Sequence, residues 1–262
     1  MSERGDKLTK IDARNGNPQP MTEQRTLIFC TTASPGIGPD LDYWQKRVRR
    51  WIDAVRASRI AHSQILLIDD GSTNFPGWAD TTSLTELALS PSEAPVVFFG
   101  FQNRLGRGTG HFPGWYRSFV FCSEYAARYG FTKVVHIESD AYLISRRMVD
   151  FVNNLESGWT MFWCPRHRFP ESSIQIIAGD SLHTYRRLQS VAYAEFHREN
   201  SIERLLPATQ ILKSFIGDRY SEYRQDVPRN ADFVAQTHFG FPDDYYWWLN
   251  DGAKSAFSGL TS

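Results

Sequence analysis

The sequence predicts an α/β domain built on a largely parallel sheet with helices on both faces. Two observations carry this expectation. The strand-like runs are apolar throughout rather than alternating, as expected of strands buried on both sides. Amphipathic helical stretches separate them, which is the spacing of βαβ units.

In chain order, "TLIFCTTA" from Thr26 is a short apolar strand ending in small polar residues. "DLDYWQKRVRRWIDAVRAS" follows, with Leu41, Trp44, Val48, Trp51, Ile52 and Val55 on one helical stripe and basic residues opposite. "SQILLIDDGST" is a second apolar strand, closed by two aspartates and a glycine, and "APVVFFGFQN" is a third. The glycine-rich loop "RLGRGTGHFPG" leads into a helix over Trp115 to Tyr129 that aligns Trp115, Phe119, Cys122, Ala126 and Tyr129. "KVVHIESD" is the fourth strand. Beyond it, "TMFWCPRHRF" and "SIQIIAGDSL" read as strands, and a helix bent at Pro207 is expected from about Ser201 to Ile216. The end, "THFGFPDDYYWWLNDGAKSAF", is aromatic and irregular. With no repeat and no linker-like tract, residues 26–262 read as a single domain behind a disordered leader, residues 1–25.

Charge excludes some partners. Lys plus Arg and Asp plus Glu number 29 each, so the formal net charge is zero. No global field favours nucleic acid, and any affinity for phosphate must be local. Cys30, Cys122 and Cys164 lie far apart with no C-x-x-C, which predicts buried thiols in a reducing compartment. The amino terminus lacks the apolar core of a signal peptide, and no run approaches the ~18 apolar residues of a membrane span. A cytoplasmic protein is expected.

The chemistry starts from Glu138 and Asp140 at the exit of the fourth strand. In an extended strand residues i and i+2 share a face, roughly 7 Å apart. Two carboxylates so placed repel unless a cation lies between them or one is protonated. Ligands of open α/β sheets bind beyond the carboxyl ends of the strands. Hard oxygen ligands suit Mg²⁺ or Mn²⁺, with substrate phosphates completing the shell. The pair thus reads as half of a metal site whose other half is a diphosphate, or else as a solvated strand end with a helix-capping aspartate. Asp69 and Asp70 end another strand, where they suit a ribose or base edge or an ordinary turn, and Thr31 and Thr32 end the first. Arg104, Arg107 and Arg117 stand in and just after the glycine-rich loop, and guanidinium groups match diphosphate oxygens.

This arrangement resembles the GT-A-type glycosyltransferases, whose fold is Rossmann-like. The likeness rests on the small polar residues closing the first strand, "LIDDGST" closing the second, the Asn/Arg/Gly segment before a helix, and an Asp-any-Asp strand end, here Glu138-Ser139-Asp140. The resemblance implies that residues 26–145 bind a nucleotide sugar, with UDP the commonest donor, and that residues 146–262 receive the acceptor. It implies nucleotide binding by Asp69 or Asp70 and metal binding by Asp140, with Glu138 contacting metal or ribose. A further ligand from the carboxy-terminal part falls on His238. It also implies a glycan or lipid-linked acceptor, as in surface-glycan assembly.

Inverting glycosyl transfer needs a carboxylate beside the acceptor hydroxyl. Glu203, Asp180, Asp218 and the Asp243-Asp244 pair are candidates, Glu203 first because it begins the expected helix. Retaining transfer would need none. Trp163, Tyr245, Tyr246, Trp247 and Trp248 offer rings for stacking on sugars, and Trp247 and Trp248 equally suit peripheral contact with a membrane. The rival readings are an NAD(P)-dependent oxidoreductase and a non-catalytic carbohydrate-binding protein. Against the first, Gly106, Gly108, Gly110 and Gly114 do not match G-x-G-x-x-G. Against the second, it leaves the paired acids without a role.

Overall fold

The computed structural model describes residues 24–34, 39–72, 77–108, 111–196, 202–223, 225 and 227–237. β1 (Thr26–Thr32) is buried along its length. Its alternate residues feed two cores: Ile28 and Cys30 face one side of the sheet, Leu27 and Phe29 the other. α1 (Pro39–Ala57) covers the first side with Trp44, Val48, Trp51, Ile52 and Val55, all buried. Asp40 and Asp42 in its first turn and Arg56 in its last complement the helix dipole.

β2 (Gln64–Asp69), the short strand β3 (Thr81–Leu84) and β4 (Val96–Gly100) follow. α2 (Pro113–Arg128) opens on a proline, whose missing N–H costs nothing in the first turn, and covers the second side with Phe119, Cys122 and Tyr125. β5 (Lys133–Ile137), β6 (Tyr142–Leu143) and α3 (Arg146–Asn154) come next. The Ser145 side chain caps α3, accepting the Met148 N–H at 3.1 Å. The remainder holds β7 (Gly158–Cys164), β8 (Phe169–Ala178), α4 (Ser181–Arg187), α5 (Tyr193–Phe196), α6 (Ile202–Leu205), β9 (Gln210–Leu212), β10 (Gly217–Asp218) and β11 (Phe233–Val234).

The described residues form an eight-stranded sheet in the order β3-β4-β2-β1-β5-β8-β7-β9 and a small sheet β10-β11-β6. β3, β4, β2, β1 and β5 are parallel; β8 runs antiparallel to both β5 and β7, and β9 is parallel to β7. The mostly parallel sheet covered on both faces is therefore observed. All three cysteines are buried and free. Among the described residues no helix is long and apolar enough to cross a membrane.

The expected helix from Ser201 to Ile216 is not present. α6 is one turn, and Pro207, which disfavours a helical residue before it, is followed by an edge strand. Thr209 binds Trp159 through its backbone N–H, at 2.9 Å to the carbonyl, and through Oγ1, which accepts the Trp159 N–H at 2.8 Å. This docks β9 on β7, and the β-pairing satisfies backbone groups that a helix would have satisfied internally.

Candidate active site

The carboxyl ends of β4, β2, β1 and β5 line one edge. Register fixes the row, with Gly100 opposite Asp69, Asp69 opposite Thr32, and Phe29 opposite His136. That last pairing carries Thr31 level with Glu138.

At β2 the adjacent aspartates turn to opposite neighbours. Asp69 is fully buried; its Oδ2 accepts the Ser34 N–H at 3.2 Å and its Oδ1 the Ser72 N–H at 2.5 Å, tying the exit of β1 to its own turn. Burial pushes its carboxyl up, and the Ser72 and Ser34 bonds oppose that. Asp70 accepts the N–H groups of Leu105 at 3.3 Å and Gly106 at 2.6 Å and pairs with Arg117. Arg117 also donates to the side-chain and backbone oxygens of Asn103. Two glycines permit this closure. A Cβ on Gly114 would run into the Asp70 carboxylate, and one on Gly71, at φ 80°, into the Asn103 backbone. Asp69 and Asp70 thus hold loops in place, and Arg117 belongs to the same clamp. Arg104 donates to the Ser34 carbonyl at 3.2 Å, and Arg107 is exposed on the clamped loop.

At β5 the strand ends one residue before the acids. The Ala141 N–H donates to the Glu138 carbonyl at 2.9 Å, closing a turn around Ser139 and Asp140. The expectation that the two carboxylates share an extended-strand face is therefore corrected: Glu138 opens a turn and Asp140 lies within it. Glu138 Oε1 accepts from Thr31 Oγ1 at 2.7 Å and Trp115 Nε1 at 2.5 Å, and lies 2.9 Å from His136 Nε2. Its Oε2 has Cys30 Sγ at 3.9 Å. Burial, and then the charge of Glu138, pushes that thiol up, so it stays protonated. Thr32 is occupied as well, its Oγ1 accepting Trp44 Nε1 at 2.8 Å. Asp140 is half-buried, and its carbonyl accepts the Thr237 N–H at 2.9 Å. His238 lies outside the described residues, as do Gly110, Asp243, Asp244, Tyr245, Tyr246, Trp247 and Trp248.

Beyond β5 the edge continues into the start of β8. The Ser172 carbonyl is 3.2 Å from His136 Nδ1, and Ser172 Oγ donates to Glu203 Oε1 at 3.3 Å. Glu203 therefore joins the row although its helix is short. Arg219 donates to the same Oε1 at 3.3 Å and grips the fully buried Glu171 through Nε at 2.7 Å and Nη2 at 3.1 Å. Burial pulls the Arg219 guanidinium down, but Glu171, Glu203 and Glu222 together outweigh it and the net shift is upward.

Asp218 is enclosed. Its Oδ1 accepts Cys164 Sγ at 2.9 Å and the Arg219 N–H at 2.8 Å, and its Oδ2 the Arg166 N–H at 3.1 Å. Asp180 follows β8 at the opposite edge of the sheet. Ala178 is opposite Lys133, whereas the Glu138 N–H meets the Ser173 carbonyl. Five residues of strand, roughly 16 Å, separate the two ends, which removes Asp180 from the row. Trp163 is half-buried under Lys213 Nζ, 4.5 Å from its ring centroid.

Sequence reasoning missed His136, Trp115, Ser172, Glu171 and Arg219. His136 stands two residues before Glu138, a same-face spacing that was available to see. Trp115 was read only as part of a core stripe.

Neither a family model nor a curated protein matches the chain. Solved structures that are similar in fold include two glycosyltransferases. One is a glycosyltransferase involved in the glycosylation of the major capsid of PBCV-1, with TM-score 0.46 and 8% identity over 91% of this chain and 100% of that one. The other is the glycosyltransferase GlyE of Streptococcus pneumoniae TIGR4, with TM-score 0.49 and 11% identity over 91% of this chain. This chain covers 60% of the GlyE chain. At such identity and overlap, function has to be read from this chain's own residues.

Proposed function

We propose that the protein is a glycosyltransferase that moves a sugar from a nucleoside diphosphate sugar, UDP-linked in the first instance, to an acceptor hydroxyl of a glycan or lipid-linked sugar. One observation carries the reading: the Glu138–Asp140 turn, Thr31 and the arginine-bearing loop clamped by Asp70 share one sheet edge with Glu203. The clamp also disfavours a dinucleotide-binding loop. The N–H groups of Leu105 and Gly106, which such a loop would turn to pyrophosphate, are taken by Asp70. Phosphate recognition then falls to the side chains of Arg104 and Arg107.

Among the described residues no group of three or more His, Cys, Asp or Glu could hold a metal ion. Asp140 and the remaining oxygen of Glu138 still fit Mg²⁺ or Mn²⁺ of the kind that takes one or two carboxylates and completes its shell with phosphate; His238 is the further candidate ligand. Such an ion would neutralise charge developing on the departing diphosphate. In the inverting form of the reaction, the acceptor oxygen bonds the anomeric carbon, the bond to diphosphate breaks, and Glu203 takes the hydroxyl proton. Ser172 and Arg219 both bind Glu203 at Oε1, fixing the carboxylate and leaving Oε2 for the acceptor.

Thermal shift against UDP, GDP, NAD and free sugars, each with and without Mn²⁺, tests the assignment. Stabilisation by a nucleoside diphosphate that requires the ion supports it. Stabilisation by NAD, or by free sugars alone, favours the oxidoreductase or the binding protein.

A further inference from the structure

His136 lies next to last in β5 and is fully buried. Its ring stacks on Phe29, with centroids 4.5 Å apart and planes 27° from parallel, and meets Phe119 edge-on at 5.2 Å. A polar ring enclosed by aromatics costs stability unless its nitrogens find partners. Both do, and the partners lead to different carboxylates of the row. Nε2 lies 2.9 Å from Glu138 Oε1. Nδ1 faces the Ser172 carbonyl at 3.2 Å and the Gln175 amide nitrogen at 3.4 Å. Ser172 in turn donates through Oγ to Glu203 Oε1 at 3.3 Å. Gln175 braces this side: its Nε2 donates to the Ser172 carbonyl at 2.8 Å, and its Oε1 accepts the Trp159 Nε1 hydrogen at 2.9 Å.

The strand that brings Ser172 here is irregular at this point. Where β7 steps from Met161 to Phe162, β8 runs from Gln175 to Glu171, so Ser172, Ser173 and Ile174 have no partner on β7. Pairing with β5 continues through Ile174, and the Ser173 carbonyl still accepts the Glu138 N–H at 2.9 Å. Bulges beside functional sites re-aim side chains. This one leaves the Ser172 carbonyl on His136 and its hydroxyl on Glu203.

We propose that His136 is a positioning residue shared by both halves of the site, setting Glu138 directly and Glu203 through Ser172. This rests on the glycosyl-transfer reading and adds to it a physical tie between the donor-side acid and the acceptor-side base. One ring, its plane fixed by Phe29 and Phe119, then orients two carboxylates.

Two substitutions separate the ends. Glutamine carries its amide about to where Nε2 stands, and asparagine about to where Nδ1 stands. His136→Gln therefore keeps the contact with Glu138, His136→Asn keeps the contact with Ser172 and Gln175, and His136→Leu keeps neither. Calorimetry with UDP in Mn²⁺ reads the Glu138 end. His136→Gln should bind close to wild type, and His136→Asn and His136→Leu ~10–100-fold more weakly, the usual cost of removing a group that orients a ligand. Urea denaturation reads the Glu203 end without substrate. The factor by which Glu203→Gln lowers the folding equilibrium constant should be roughly twofold or more smaller in His136→Gln and His136→Leu than in wild type. In His136→Asn it should return to the wild-type factor.

UDP affinity that is unchanged in all three variants, or falls alike in all three, overturns the positioning of Glu138. A Glu203→Gln effect of the same size in every background overturns the tie to Glu203. Both results leave the glycosyl-transfer reading standing. If His136→Leu does not fold, the opposite orders expected of the Gln and Asn variants carry both comparisons. Failure of wild type to bind UDP removes the glycosyl-transfer reading, and the denaturation series then decides the tie by itself.

Discussion

Asp70, just past the end of β2, accepts the Gly106 N–H at 2.6 Å and so fixes the loop that carries Arg107. The bond joins two strand exits that are far apart in sequence, and the Asp70–Arg117 ion pair backs it. Asp70→Ala should therefore lower stability by about 1–3 kcal/mol, because it leaves the N–H groups of Leu105 and Gly106 without their acceptor and removes the carboxylate from a guanidinium that keeps its Asn103 partners. Urea denaturation gives the number, and amide exchange at Leu105 and Gly106 should accelerate. A loss below about 1 kcal/mol would mean that the loop is held by other contacts.

Asp140→Asn should abolish transfer while leaving melting and circular dichroism unchanged, since the amide matches the carboxylate in size and the backbone bond from Thr237 to the residue-140 carbonyl is kept. If the variant unfolds, Asp140 is a structural residue and the site as drawn is wrong.

Glu203→Gln should lower turnover by ~10²–10⁴-fold with donor affinity nearly unchanged, as expected for a base acting on the acceptor in the transition state. Transfer and donor hydrolysis measured side by side check it. Near-normal transfer would point to the Asp243-Asp244 pair or to a retaining mechanism.

Lys133 gives a pH dependence with a definite sign. Its Nζ is buried, donating to the carbonyls of Val152 at 2.8 Å and Asn153 at 3.0 Å at the end of α3. Burial pulls the ammonium from 10.5 down to about 8, against a smaller opposing pull from Glu156. Between those values the unfolded chain holds the extra proton. The contribution therefore rises with pH across the window and is lost as pH falls through about 8. The neutral amine keeps one N–H for each carbonyl. Between pH 7.5 and 9.5, wild type should gain on the order of 1–2 kcal/mol relative to Lys133→Met. Parallel pH profiles would contradict this.

The parallel half of the fold was legible because each of its buried strands carries an unbroken apolar run, as in Ile65 to Ile68, and the stripe of α1 leaves one choice of face. β3 was not, because Thr81-Thr82-Ser83-Leu84 is a polar edge strand recognisable only once β4 lies beside it. The acids of the row were visible as residue types at strand exits. Their division of labour was not: which carboxylate faces a ligand and which a backbone N–H is decided by loops far away in sequence, as Gly106 decides it for Asp70. In the sequence Glu203 stands out as the first acid of an expected long helix. It reaches the row through Ser172 and Arg219 instead.

The most direct test of the central claim is calorimetric titration of the protein with UDP in Mn²⁺ and again in EDTA. Saturable binding in Mn²⁺ that weakens at least tenfold in EDTA is the predicted result. Equally tight binding in EDTA, or no binding in either buffer, would contradict a metal-assisted nucleotide-sugar site at the Glu138–Asp140 turn.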